Sequence, residues 1–180
     1  MLALAQTLEA RGFDVVRFDF PYVEKRSKRI DPMPVLKAAI ADVAGRVRAE
    51  RRPAKLLLGG RSMGGRAASM LAADGFACDG LMLFAYPLHP AGEPEKLRDA
   101  HLPLINAPVL CFNGTRDALC RRDLMEAALA KVRTRWRMHW VEGADHSFRV
   151  LKSSGRTDAE VMQEMGEASR VWLEGLASGG

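Results

Sequence analysis

The sequence predicts an α/β fold, namely a three-layer α/β/α sandwich on a mainly parallel sheet of about five strands. Short apolar runs alternate with longer segments of helical periodicity along the whole chain. This alternation is typical of parallel sheets, because the crossover between two parallel strands is usually a helix. The 180 residues are 48% hydrophobic. They show no internal repeat and no low-complexity linker, so we expect a single domain over 1–180.

Periodicity, together with the residues that begin and end helices, places the individual elements. Asp31 is the expected N-cap of the second helix with Pro32 at its first position, and Gly12 follows the end of the first. The expected helices are 2–11, 31–51, 63–74, 121–132 and 158–176. The expected strands are 13–20, 55–60, 81–84, 109–112 and 136–141.

Composition and charge exclude several classes of protein. The formal charge of +5 and the pI of about 9.4 raise nucleic-acid binding as an alternative. However, most basic residues alternate with acids on predicted helices, so we expect no nucleic-acid partner. No segment approaches the roughly 18 apolar residues of a membrane-spanning helix, and the N-terminus lacks the basic start of a signal peptide. We therefore expect no membrane partner, while a homodimer is left open.

The three cysteines are Cys78, Cys111 and Cys120. They show no C-x-x-C pairing, which argues against a disulfide framework and against a zinc site. Unpaired cysteines of this kind favour a reducing, cytoplasmic location. We expect no metal and no cofactor.

The segment Gly60–Gly64 matches G-x-S-x-G, the pattern of a nucleophile elbow. It follows an apolar run, precedes a predicted helix and is followed by small residues that permit close packing of helix and sheet. Such a turn strains the backbone at Ser62 and holds its Oγ clear of the sheet. An ordinary glycine-rich connection is the alternative, and the three context features favour the elbow. The N–H of Met63 is then expected to be one donor of an oxyanion hole.

A serine nucleophile needs a base that is itself oriented by an acid. Asp117 lies in the loop after the predicted strand 109–112. His146 lies in the loop after the predicted strand 136–141. A turn aspartate and an exposed loop histidine are the alternatives, but the order serine, acid, histidine is that of α/β hydrolases. We therefore expect Asp117 to orient His146, and His146 to accept the proton of Ser62.

Loops that follow the other strands should surround Ser62, because ligands bind at the carboxyl ends of parallel strands. Tyr22 follows the first predicted strand, and Tyr86 and His89 follow the third. We expect these three side chains to bind polar atoms of a substrate. Packing of the Tyr86 ring and solvation of His89 form an equally weighted alternative.

Six segments carry a resemblance that covers nearly the whole chain. They are RFDFPYVE (17–24), DPMP (31–34), LLLGGRSMGGRAAS (56–69), AYPLHPAGEPEKLRDAHLP (85–103), FNGTRD (112–117) and GADHSF (143–148). In these segments the chain resembles small dienelactone-hydrolase-like proteins of the α/β-hydrolase superfamily, of the testis-expressed/KANSL-type branch. The resemblance implies a triad of Ser62, Asp117 and His146, and leaves the substrate undefined.

The resemblance also implies a strand and a loop ending in His-Gly ahead of the first helix, and that loop would supply a second oxyanion donor. This chain begins inside what resembles that helix, which predicts an N-terminally truncated α/β-hydrolase fold. The implied strand would lie between 13–20 and 55–60. A start assigned too far downstream, or another chain that covers the gap, would explain its absence; for the chain as given, we expect those two strands to pair directly. One missing oxyanion donor lowers turnover about a hundred- to a thousandfold.

The sequence therefore predicts a serine hydrolase that acts on a small-molecule ester or thioester through an acyl-enzyme. The alternative is a catalytically weak or inactive interaction module that keeps the same fold.

Overall fold

The computed structural model describes residues 2–177, so the ends of the expected domain, 1 and 178–180, lie outside the described residues. The strands are β1 (Leu57–Arg61), β2 (Gly80–Phe84), β3 (Val109–Gly114) and β4 (Trp136–Val141). The helices are α1 (Leu2–Glu9), α2 (Pro21–Glu24), α3 (Met33–Arg51), α4 (Met63–Ala73), α5 (Arg122–Leu129) and α6 (Asp158–Ala177). Short 3-10 turns form at Leu102–Leu104 and Lys152–Ser154. Within 2–177, no helix is both long and apolar enough to cross a bilayer.

The four strands form one parallel sheet in the order β1-β2-β3-β4. Alternate side chains of the central strands enter two separate cores, as parallel strands buried on both faces require. On one face, Leu83 and Cys111 pack with α3, α4 and α5. On the other face, Met82 and Phe112 pack with α1 and α6. This arrangement confirms the predicted three-layer α/β/α sandwich.

The predicted strand at 13–20 is wrong, and so are its pairing with β1 and the count of five strands. The segment forms no regular secondary structure, and the backbone of 14–19 makes no hydrogen bond to any described residue. Phe13 N–H bonds to Leu8 O at 3.2 Å, which closes the turn after α1. A cleft of about 770 Å³ lies between this segment and β1. Alternation of apolar residues indicates extended backbone and does not identify a ladder partner.

The expected Asp31 cap is also wrong. Pro32 is the N-cap of α3, and no side chain caps this helix. The Asp31 carboxylate instead accepts a hydrogen bond from the N–H of Tyr22 at 2.8 Å. This contact fixes the start of α2, which lies beside the cleft.

Candidate active site

Ser62 lies at the junction of β1 and α4, at the carboxyl end of the strand. Its backbone has φ +52° and ψ −119°, which non-glycine residues rarely adopt and which stores strain. The Ser62 N–H donates to Phe84 O at 2.8 Å, and the Ser62 carbonyl accepts from Arg66 N–H at 3.0 Å. These bonds hold the strained residue between the sheet and the first turn of α4. The predicted strand-to-helix turn is confirmed.

Two glycines permit the tight turn, and one of them is not the glycine expected from the motif. A Cβ on Gly60 would lie 2.6 Å from the carbonyl carbon of Gly64, and a Cβ on Gly65 would lie 2.6 Å from Gly60 O. A Cβ on Gly64 would meet only Phe20 Cε2, at an ordinary 3.7 Å. The close approach of strand and helix therefore depends on Gly60 and Gly65, while Gly64 has room for a side chain.

Ser62, His146 and Asp117 form a continuous chain of hydrogen bonds. His146 Nε2 lies 2.9 Å from Ser62 Oγ, and His146 Nδ1 lies 2.8 Å from Asp117 Oδ2 and 3.0 Å from Oδ1. A carboxylate only accepts, so Nδ1 carries the proton and Nε2 presents its lone pair to the serine hydroxyl. The structure therefore brings together the three residues that the sequence singles out.

Asp117 is held by a backbone donor and a buried side-chain donor. Its side chain is fully buried, and Oδ1 accepts from the N–H of Leu119 at 2.8 Å. Oδ2 accepts from Nδ2 of Asn113, which is also fully buried, at 3.2 Å. Sequence reasoning missed Asn113. Its signal was a polar residue at the end of the apolar run of β3, four positions before Asp117.

The loop that carries His146 is shaped by the carboxylate of Asp145 and by a close backbone contact with Gly114. Asp145 Oδ1 accepts from the N–H of Ser147 at 2.7 Å and of Arg149 at 3.0 Å, which closes a tight turn around His146. Gly114, at the end of β3, lies so near the loop that a Cβ there would be 2.1 Å from Ala144 O. The base is thus fixed against the strand that precedes Asp117.

Ser62 and Met63 line the cleft beside β1. Met63 begins α4, so its N–H has no acceptor within the helix and is free to bind an anion. Aromatic rings form the opposite wall: Phe20 Cε2 lies near Gly64, and the ring of Tyr22 stacks on Phe20 with centroids 6.3 Å apart. Tyr22 therefore lies in the cleft that reaches the serine.

Tyr86 and His89 have other partners. The fully buried Tyr86 donates its hydroxyl to Arg98 O at 2.7 Å, and burial raises its pKa. His89 is 2% exposed, with Nε2 accepting from Arg121 N–H at 3.1 Å and Nδ1 bonded to Pro90 O at 2.9 Å. These contacts bury both side chains and occupy their polar atoms within the protein, so neither of them lines the cleft at Ser62.

Cys111 and Cys120 are buried, and Cys78 is partly buried. Burial raises the pKa of the Cys78, Cys111 and Cys120 thiols. A buried thiol that stays protonated is a poor nucleophile, because the thiolate is the reactive form. Within 2–177, no group of three or more His, Cys, Asp or Glu side chains is arranged to hold a metal ion.

Solved structures with the same architecture include two that are named as α/β serine hydrolases or homologues and one named as a dienelactone hydrolase. An α/β serine hydrolase homologue from Coxiella burnetii matches with 20% identity and a TM-score of 0.71, over 93% of this chain and 72% of that one. An α/β serine hydrolase without lid from Xanthomonas campestris matches with 23% identity and a TM-score of 0.72, over 95% and 72%. A dienelactone hydrolase from Anabaena variabilis matches with 22% identity and a TM-score of 0.66, over 91% and 74%.

At identities this low, the structural matches show only the fold. The family is shown by a match of the sequence to a family model. The family model described as an alpha/beta hydrolase domain matches residues 1–174. That match includes β1 to β4 and all three residues of the hydrogen-bonded chain. On the strength of this match, the chain belongs to the alpha/beta hydrolase domain family.

Proposed function

We propose that this chain is a serine hydrolase that cleaves a small-molecule ester or thioester through a covalent acyl-enzyme. The observation that carries the proposal is the chain of hydrogen bonds from Ser62 Oγ through His146 to Asp117, with every donor–acceptor distance between 2.8 and 3.0 Å. Nucleophile and base within about 2.6–3.2 Å, with the base oriented by a third group, is the geometry of an activated serine.

In the acylation step, Ser62 Oγ attacks the substrate carbonyl carbon while His146 Nε2 takes the hydroxyl proton. The carbonyl oxygen becomes an oxyanion, which the free N–H of Met63 stabilises at the positive end of α4. Buried Asp117 stabilises the imidazolium that forms and keeps its ring oriented. The tetrahedral intermediate then collapses, and His146 gives the proton to the departing alkoxide or thiolate.

In the second step, water replaces the leaving group. His146 takes a proton from this water, and the resulting hydroxide attacks the acyl carbon on Ser62. Collapse of the second intermediate returns the proton from His146 to Ser62 Oγ and releases the acid. The His146 side chain is 27% exposed, so the ring is in contact with solvent.

The aromatic part of the cleft lining supports an apolar acyl group as the part of the substrate next to Ser62. Phe18, Phe20 and Tyr22 lie in contact along its wall, with ring centroids 5.4 Å apart for the first pair and 6.3 Å for the second. Aromatic walls bind apolar groups by burial, and a few polar groups then fix the orientation. The backbone N–H of Met63 is the polar group we assign to the substrate carbonyl.

A second candidate function is an interaction module with weak or no catalysis. The outer edge of β1 favours it, because β1 pairs only with β2 among the described strands, and an unpaired edge can accept a strand of another chain. The testis-expressed/KANSL-type assignment, a cytoplasmic location and the absence of a nucleic-acid partner stay predictions of the sequence.

Hydrolysis of p-nitrophenyl acetate and S-phenyl thioacetate tests the proposal. We expect Ser62→Ala to lower kcat at least about 10⁴-fold for whichever compound is cleaved. Ser154→Ala is the matched control, because it removes an exposed serine in the Lys152–Ser154 turn. Turnover by Ser62→Ala equal to that of wild type would show that the observed hydrolysis does not use this serine. Absence of turnover with both compounds would favour the interaction module.

A further inference from the structure

Ser62 and His146 come from opposite edges of the sheet. Ser62 follows β1 and His146 follows β4, and the strand order places β2 and β3 between them. Neighbouring strands lie about 4.8 Å apart, so the two edges are separated by about 14 Å. The loop that carries His146 must return across the sheet to bring its imidazole to Ser62. The contacts of Asp145 and Gly114 hold the loop near β3, and a contact with the end of β1 would hold the imidazole at Ser62.

Arg61 makes such a contact. It ends β1 and directly precedes Ser62. Its Nη2 donates to the backbone O of His146 at 3.0 Å and to Ser147 Oγ at 3.0 Å. Across the described residues, the only other hydrogen bond between 57–66 and 142–150 is the Ser62–His146 pair itself.

The Arg61 guanidinium is not engaged by an acid. Within 2–177, no carboxylate lies at ion-pair distance from it, and its Nε is buried without a hydrogen-bond partner. A charged donor makes a stronger bond to a carbonyl than a neutral donor does. The carbonyl carbon of His146 is bonded to the Cα that bears the imidazole, so fixing this carbonyl restricts how the ring can swing.

We propose that Arg61 is a positioning residue, whose guanidinium fixes the loop so that His146 Nε2 stays within reach of Ser62 Oγ. The inference rests on the proposed function, since it concerns the same serine and histidine. Arg61 acts through His146 and is assigned no contact with the reacting atoms. A misplacement of about 1 Å in such an array costs about 100-fold in rate.

Kinetics of three variants test this role. Arg61→Met removes both hydrogen bonds, and Arg61→Lys keeps a charged donor that reaches one acceptor. Arg116→Met is the matched control, because exposed Arg116 donates Nη1 to the backbone O of Gly143, at 3.1 Å, in the same loop. With p-nitrophenyl acetate we expect kcat to fall about 100-fold for Arg61→Met and about tenfold for Arg61→Lys, with KM within about threefold. The kcat of Arg116→Met should stay within about threefold of the wild-type value, because the loss of an exposed hydrogen bond has little effect.

Proton NMR gives a readout that needs no turnover. The Nδ1–H of His146, bonded to Asp117, should give a far-downfield resonance in wild type and in Arg116→Met. We expect this resonance to broaden or vanish in Arg61→Met. If wild type and Ser62→Ala are equally inactive on esters, the proposed function fails, and the resonance still tests the contact made by Arg61.

A folded Arg61→Met protein with the kcat of Arg116→Met, or with a resonance as sharp as that of wild type, would overturn the inference. Circular dichroism establishes whether this variant is folded. If it is not, Arg61→Lys decides, and a wild-type kcat for the lysine variant would overturn the inference equally.

Discussion

Asn113 and Asp117 are joined by a hydrogen bond of 3.2 Å between Nδ2 and Oδ2, inside the protein. The same amide also holds the backbone of Tyr86, accepting its N–H at 3.2 Å and donating to its carbonyl at 3.1 Å. One buried side chain therefore connects the proposed catalytic acid to the loop after β2. The orientation of Asp117 depends on β2 as well as on β3.

Replacing Asn113 should cost both stability and rate. In Asn113→Leu, the Tyr86 N–H and carbonyl lose their partners in a dry environment, and we expect unfolding free energy to fall by about 2–4 kcal/mol. The kcat should fall about tenfold, because Asp117 loses one of its donors. Urea unfolding and ester hydrolysis measure the two effects. Asn106→Leu, at an exposed position, is the control, and equal stability of the two variants would contradict the role of Asn113.

Gly114→Ala should displace the loop that carries His146. The added Cβ would lie 2.1 Å from Ala144 O. Neither atom can turn aside as the end of a flexible side chain could, so the loop must move. We expect kcat to fall about 100-fold. Gly45→Ala is the control, because a Cβ there meets nothing within 4 Å in helix α3 and should stabilise by about 0.5–1 kcal/mol. Wild-type kcat in Gly114→Ala would show that this contact does not position the base.

His101 should make the protein less stable in mild acid. Burial, reinforced by the Arg66 guanidinium, lowers the pKa of His101 to about 4, although Asp99 and Asp74 oppose the shift. The unfolded chain, with a histidine pKa of about 6.5, binds this proton first. Neutral His101 therefore makes its full contribution to the free energy of unfolding above pH 6.5. This contribution is lost as the pH falls from 6.5 to 4.

Urea unfolding at pH 7 and pH 4.5 measures this effect. His101→Gln keeps a donor for Ser69 Oγ, which lies 2.8 Å from His101 Nε2, and removes the titration. We expect unfolding free energy to fall more steeply for wild type than for the Gln variant over this interval. Parallel losses in the two proteins would assign the acid sensitivity to other groups.

Much of the fold and the central residues of the site could be predicted because they depend on local patterns. Buried parallel strands read as short apolar runs, and β2, β3 and β4 appear close to their predicted bounds. Ser62, Asp117 and His146 each follow a parallel strand, and parallel strands present their carboxyl ends at one edge of the sheet.

What could not be predicted depends on contacts between distant segments. The run at 13–20 has the apolar alternation of a strand, but its backbone forms no ladder with β1. Tyr86 and His89 follow β2 as expected, yet the loop folds inward and buries both side chains. The role of Asn113 emerges only when β2 and β3 are placed together in space, and that of Arg61 only when β1 and the His146 loop are.

Covalent labelling tests the central claim, which is that His146 and Asp117 activate Ser62 as a nucleophile. Intact-mass spectrometry after treatment with a fluorophosphonate should show one adduct per chain, with peptide mapping to Ser62. The adduct should be absent in Ser62→Ala, retained in Ser154→Ala, and formed far more slowly in His146→Ala. An adduct of equal yield in Ser62→Ala, or no adduct on folded wild-type protein, would contradict the account.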